Sequence, residues 1–350
     1  MVDMTTTCTA PQGALRDRLS RHVTPRTATS STHLAELSGR LTPRDRWLIR
    51  MLYAHRVFTT HQIAQLAWPS RRAANMRLLR LYQWRVFDRF QPFVAHGTAP
   101  MHYLIDRAGA AVLAREEGIE PRRLAYDHSR ALGIAHSQRL THTIATNNYF
   151  TSLIHRARHM TTPGTLTTWW SEAQCARHFG DVVRPDAYGR WRDHHGETEW
   201  FLEVDLGTEQ LGRLCAKLVG YGDLAEQTGI VTPVLFLLPN QAREDSARAT
   251  LAAALTALDC MPAVPVATAH TARTASCGSS NSPHPQAPQW LPLEATHPDP
   301  RLELWELGQF WRHLPTLSPT APLVPDASAH DQLRSPFPMP PGAALSDTGE

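Results

Sequence analysis

From residue 42 onward, apolar positions recur at helical spacing. Thr42-Pro43-Arg44-Asp45 opens the first predicted helix, with Thr as N-cap, Pro at the first helical position and an acid in the first turn. Its buried stripe is Trp47, Leu48, Met51 and Leu52. Thr59 and Gln62 stand in capping-box spacing before a second helix that buries Ile63 and Leu66. Ser70 is placed to cap a third, expected over residues 71–85. Two extended runs follow, expected at 87–94 and 101–105. The connection His96-Gly97-Thr98-Ala99-Pro100 reads as a hairpin tip. Asp106 then caps a helix expected over 107–117, ending at Gly118.

A second block spans 136–270. It reads as a helix at 137–159, strands at 165–171, 182–191 and 199–205, and a helix at 210–226. The strand expected at 233–238 is short, continuous and apolar, as a buried central strand should be. A helix at 241–258 and a strand at 264–268 close the unit. Strands with intervening helices imply a mixed sheet covered on both faces. The flanks differ. Residues 1–40, rich in Thr, Ser and Arg, read as a mobile arm. Residues 271–350 hold 14 of the 27 prolines and read as largely disordered, apart from Arg301–His313, a candidate short helix or strand. The expected domains are therefore an arm (1–40), a helix-and-hairpin unit (41–125), an α/β unit (136–270) and a tail (271–350).

Three short helices followed by a hairpin is the order of a winged helix-turn-helix, whose third helix enters the major groove. At 100° per residue, Ala74, Leu78, Leu81 and Tyr82 share the core face of that helix. The opposite face carries Arg72, Met76, Arg80 and Gln83, with Arg77 on its shoulder and Arg71 and Asn75 near its start. Arg contacts phosphates or reads guanine, and Asn reads adenine. Arg71, Arg72, Asn75, Arg77 and Arg80 are the candidate DNA contacts. Arg89 and His96 in the hairpin could touch a neighbouring phosphate, although plain surface positions explain them as well.

Charge sharpens this division. The net charge is only +3, yet residues 43–125 hold 14 arginines against six acids, and residues 171–260 hold 14 acids against eight basic residues. A basic front suggests a polyanion, here double-stranded DNA. An acidic rear suggests a metal site or an ion-pair network. Of the 35 basic residues, 34 are Arg, a bias a GC-rich genome accounts for, and the single lysine is Lys217. Five cysteines without C-x-x-C spacing argue against a disulfide framework or zinc site and for a reducing cytoplasm. No apolar run approaches a membrane span, and the first 40 residues lack the apolar stretch of a secretory signal.

The acids sit in suggestive places. Asp186 follows Arg184-Pro185 in the second expected strand, and Glu203 and Asp205 flank Val204 in the third. Residues two apart in a strand face one side, so both carboxylates project together, and the hairpin could bring Asp186 beside them. Mg²⁺ would relieve their repulsion, bound through Asp186, Glu203 and Asp205, with Glu172 a further possible ligand. Lys217, on the next helix, could polarise a water or stabilise a phosphorane. This arrangement resembles the core of the PD-(D/E)xK nuclease superfamily, a restriction-endonuclease-like fold, through Pro185-Asp186 and Glu203-Val204-Asp205. It departs from that pattern where Asp205 stands in place of the lysine. Some members of that superfamily are understood to supply the lysine from the following helix, as Lys217 would. A degenerate nuclease fold used for binding or dimerisation, or plain salt bridges, are the other readings of the same acids.

The whole order resembles the actinobacterial replication-relaxation family. The residues that carry this are Leu41–Asp45, Thr60–Trp68, Ser70–Arg72, Arg77–Tyr82, Arg184–Gly189, Phe201–Glu209, Lys217–Tyr221 and Val234–Pro239, within roughly residues 40–270. The resemblance implies a role in replication, relaxation or transfer of plasmids and integrated mobile elements. The leading expectation is a cytoplasmic DNA-binding accessory protein, with replication or relaxase proteins as partners and a possible homodimer. The alternatives are a Mg²⁺-dependent DNA endonuclease targeted by the winged helix, with Asp186, Glu203, Asp205 and Lys217 as its catalytic residues, and a transcriptional repressor.

Overall fold

The computed structural model describes residues 29–94, 97–124, 126–159, 164–229, 231–257, 264–271, 289–294, 301–311, 333 and 335–342. These form an α+β protein with eleven α-helices and two sheets among the described residues.

The N-terminal unit begins with α1 (Ser31–Arg40), capped by Ser30, whose hydroxyl accepts from the His33 amide, and anchored by buried Leu37. This helix falls in the stretch expected as an arm. Its single buried residue is too weak a periodic signal to reveal it. Helix α2 (Pro43–His55) carries the expected Thr42–Asp45 box and buries Trp47, Leu48, Met51 and Leu52. A two-residue strand, β1 (Phe58–Thr59), leads into α3 (Thr60–Ala67), whose Thr59–Gln62 box is formed. Ser70 caps α4 (Arg71–Gln83). Strands β2 (Phe87–Phe90) and β3 (His102–Ile105) pair antiparallel and, with β1, give a sheet of order β1-β3-β2. The expected 87–94 strand stops at Phe90. His96, the hairpin-tip candidate, lies outside the described residues. Helix α5 (Arg107–Glu116) follows the Asp106 cap, and its C-terminal acids Glu116 and Glu117 pair with Arg46 and Arg50 of α2.

Two short turns of helix, α6 (His128–Leu132) and a 3₁₀ turn at Gly133–His136, lead into α7 (Arg139–Ala157). The second unit then alternates: β4 (Thr165–Ser171), α8 (Glu172–Phe179), β5 (Ala187–Asp193), β6 (Gly196–Val204), α9 (Leu211–Thr228), β7 (Val234–Leu238), α10 (Gln241–Ala257), β8 (Val266–His270), β9 (Leu291–Pro292) and α11 (Leu304–Phe310). The six strands lie in chain order β4 to β9. The β4–β5, β5–β6 and β8–β9 pairs are antiparallel, and β6–β7 and β7–β8 are parallel. Strand β7 is buried throughout, as its apolar run requires.

Helix α8 is a feature the apolar pattern did not reveal. It is only eight residues long, and its sequence mark is the Ser171–Gln174 capping box. It also shifts β5 forward from the expected 182–191. The Val182 and Val183 amides both turn back to the Phe179 carbonyl, and Pro185 has no amide to give a ladder. Asp186 therefore sits in the bend before β5. Within β5, a side chain at Gly189 would collide with the rings of Trp200 and Phe150, so glycine lets α7 lie directly on the sheet.

The two units share one core. It runs from Leu37 and the α2–α4 stripe through Phe150, Leu153 and Ile154 of α7 into Leu202, Val204, Leu235 and Ala267 on one sheet face. Helices α8, α9 and α10 cover the other face. The joint is also polar. Asn147 Nδ2 donates to the Val57 carbonyl at 2.8 Å, and Gln62 Nε2 to Ile144 at 2.8 Å. His55 stacks on Trp169 with centroids 3.7 Å apart, and neither ring nitrogen has a hydrogen-bond partner. Burial pulls its pKa down to about 3, so it is neutral in the fold. The unfolded chain takes up this proton below pH ~6.5 while the native state does not, so stability falls as pH drops from there towards 3. His55→Phe is expected to flatten this acid limb, read as denaturation midpoints between pH 4 and 7.

Parts of the proline-rich tail also pack. Trp290, Leu304, Leu307 and Trp311 join the shared core. Ser335–Pro341 crosses both units: Trp47 Nε1 donates to the Phe337 carbonyl at 2.8 Å, and Gln174 Nε2 reaches Ser335 Oγ. No helix among the described residues is long and apolar enough to cross a membrane.

Candidate functional site

Two surfaces follow from this frame. The first is the outer face of α4. Ala74, Leu78 and Leu81 are buried and hold the helix against α2 and α3. Arg71, Arg72, Asn75, Met76, Arg80 and Gln83 are exposed on the far side. Arg71 sits beside His61 at the start of α3, 2.9 Å away. Arg77 departs from the expected role of DNA contact. Its Nε and Nη2 grip the buried carboxylate of Asp45, and Nη2 also donates to the Arg40 carbonyl at 3.0 Å. It pins α4 to the first turn of α2, because its shoulder position points at the one buried acid of that turn. Tyr82 is half-buried, with the Arg89 guanidinium 4.3 Å above its ring.

The second surface is the acidic end of β6. Glu203 and Asp205 do project to the same sheet side, yet they meet different helices. Glu203 is 1% exposed and accepts from Lys217 Nζ at 2.6 Å and Tyr221 Oη at 2.5 Å, both on α9. Asp205 is also buried, accepts from Arg243 Nε of α10 at 2.6 Å, and turns its other oxygen to the Gly207 amide. Asp186 accepts from the Val204 amide at 2.8 Å and from His142 Nε2 of α7 at 3.0 Å. Glu172 stands apart, at the surface, 3.4 Å from Arg139.

The charges interlock. Burial and the Asp186 charge raise the Glu203 pKa to about 8, against the pull of Lys217 and Tyr221. Burial would raise Asp186 too, but His142, Lys217 and the Val204 amide outweigh it and hold it low. Burial works against the His142 imidazolium, and Asp186 with the Val204 carbonyl more than offsets that. Burial likewise opposes the Lys217 charge, and Glu203 and Asp186 overcome it.

A divalent cation does not fit this set. Each of the three expected ligands already holds a cationic side chain: His142 on Asp186, Lys217 on Glu203 and Arg243 on Asp205. No group of three His, Cys, Asp or Glu side chains among the described residues is arranged to hold a metal ion. Three participants escaped the sequence reading. Tyr221 was within reach of it, lying four residues after Lys217 on the same helix face. His142 and Arg243 carry no local mark, since each meets its carboxylate only through packing 44 and 38 residues away.

A family model described as replication-relaxation matches residues 49–238, more than half of the chain. The chain belongs to the replication-relaxation family. No curated protein and no solved structure matches it. The replication-relaxation match takes in α4 and the Asp186, Glu203 and Lys217 positions, and ends with β7, ahead of Arg243. Membership in this family suggests a role in replication or relaxation.

Proposed function

We propose that this replication-relaxation protein binds double-stranded DNA through α4, acting as the recognition helix of a winged helix-turn-helix. In this reading it is an accessory protein for replication, relaxation or transfer of a plasmid or integrated mobile element. The observation that carries it is the outer face of α4, where Arg71, Arg72, Asn75 and Arg80 stand exposed on a helix whose inner face is fully committed to the core. The element order α2-β1-α3-α4-β2-β3 and the sheet order β1-β3-β2 support it, because they leave α4 on the outside with the β2–β3 connection as its wing. Here the sheet unit, a restriction-endonuclease-like fold with its carboxylates neutralised by side chains, serves as a rigid base for the reading helix and for partner proteins of the replication machinery.

The test is duplex affinity across a salt series. Arg72→Ala and Arg80→Ala should each weaken binding, and each phosphate-contacting Arg removed should flatten the log–log salt slope by about one unit. Arg77→Ala should instead lower the unfolding midpoint. A salt-insensitive affinity would sink the reading. Supercoiled plasmid incubated with the protein in Mg²⁺ or Mn²⁺ should stay intact. Nicking lost in Asp186→Ala and Lys217→Ala would replace the accessory role with that of an endonuclease.

A further inference from the structure

An open cleft of about 550 Å³ lies where α2, α3 and α4 meet, lined by Thr42, Arg44, Asp45, Trp68, Arg77 and Pro341 among others. Its charges do not balance. Asp45 is consumed: Arg77 takes both oxygens, and the Thr42 amide and hydroxyl take one of them again. That leaves Arg44 with no carboxylate within ion-pair distance among the described residues. Its guanidinium lies 5.5 Å over the Trp68 ring, and its Nε is shielded from water without a hydrogen-bond partner. A second guanidinium, from the other unit, meets the same end of α3, at Gln65, three residues before Trp68. Arg158, at the end of α7, donates to the Gln65 carbonyl near the end of α3 at 2.7 Å. Burial and the nearby Arg44 charge both pull the Arg158 pKa down.

Two like charges gathered in this way call for an anion. Arg158 has a partial structural reason in the α3 C-terminus, whose carbonyls favour a cation. Among the described residues Arg44 has only the Trp68 face, which orients the fork. The place is telling, because Trp68-Pro69-Ser70 is the turn that delivers α4. A guanidinium pair offers the bidentate, charge-assisted donors that a phosphate takes.

We propose that Arg44 and Arg158 form a clamp for one backbone phosphate of duplex DNA, flanking the groove that α4 enters. This rests on the DNA-binding reading above and adds a contact supplied jointly by the two units. A clamp of this kind strengthens binding without reading sequence, and it fixes the duplex against the sheet unit as well as the winged unit.

The experiment uses the full-length protein and a fluorescent duplex across a salt series. Arg44→Gln and Arg158→Gln should each weaken binding roughly 5- to 10-fold at low salt and reduce the salt slope by about one, with the ratio of affinities for two different duplexes unchanged. A scan of single neutral methylphosphonates along the duplex adds a readout that a misfolded variant cannot imitate. One flanking position should weaken the wild-type protein several-fold and leave Arg44→Gln indifferent. If no such position exists while Arg72→Ala still weakens binding, the clamp is wrong and the recognition helix stands. If the wild-type protein binds no duplex at all, both fall together.

Discussion

Lys217→Met is expected to destabilise the protein most at alkaline pH, where Glu203 is ionised, by roughly 3–5 kcal/mol, the cost of leaving a buried carboxylate without its cation. Glu203 is 1% exposed and Lys217 Nζ is 2.6 Å away, so no water replaces the lost charge. The partner change tells pairing apart from packing. In Lys217→Met with Glu203→Gln, the amide still accepts from Tyr221 and no charge is stranded, so most of the loss should return. The pH dependence has a definite sign. Glu203 is held near 8, above the ordinary carboxylate value, so the native state keeps a proton that the unfolded chain has released. Its contribution is complete below about pH 4.5 and is lost as pH rises towards 8. Removing Lys217 removes a downward pull on Glu203, so the variant should go on losing stability above pH 8, where the wild-type curve levels off. Denaturant titrations from pH 5 to 9 read this directly. In the same assay Mg²⁺ and chelator should leave the wild-type midpoint unchanged. A metal-dependent rise abolished by Asp186→Asn would show that the carboxylates prefer an ion to their present partners.

Arg301→Met is the second large effect, again about 3–5 kcal/mol. Glu244 of α10 is fully buried and takes two hydrogen bonds from Arg301, at 2.8 and 2.7 Å, one from Thr268 at 2.8 Å and one from His270 Nδ1. Burial would raise its pKa, but these donors outweigh it and hold it low. The stabilisation is therefore present above the ordinary carboxylate range and lost as pH falls below it. Arg301 also donates to the Gln289 carbonyl, so the same guanidinium ties the segment bearing Trp290 and α11 to the sheet. The variant should open that segment first. Hydrogen exchange at residues 289–294 and 301–311 should rise before the central strands lose protection. Uniform loss across the whole chain would mean that the segment is no separate unit.

These two sites show where sequence reading stops. The helices of the N-terminal unit were legible because their marks are local. Thr42–Asp45, Thr59–Gln62 and Ser70 each act within three residues, and the stripes of α2 and α4 repeat every turn. The shared face of Glu203 and Asp205 was legible too, because strand parity is local. Helices α1 and α8 escaped, since one buried Leu or two turns make no period.

Taken alone, the sequence determined the capped helices of the N-terminal unit, their core faces, the division into a basic front and an acidic rear, and membership in the replication-relaxation family. Tertiary structure alone decided the partners of the buried charges. Arg77 turned from the expected DNA face to Asp45, His142 came to Asp186, Arg243 to Asp205, and Arg301 brought part of a proline-rich tail onto α10. The physical reason is that caps and stripes are settled by neighbours one turn away, whereas a buried charge is settled by whichever opposite charge the packed chain brings within hydrogen-bond reach, from any distance along it.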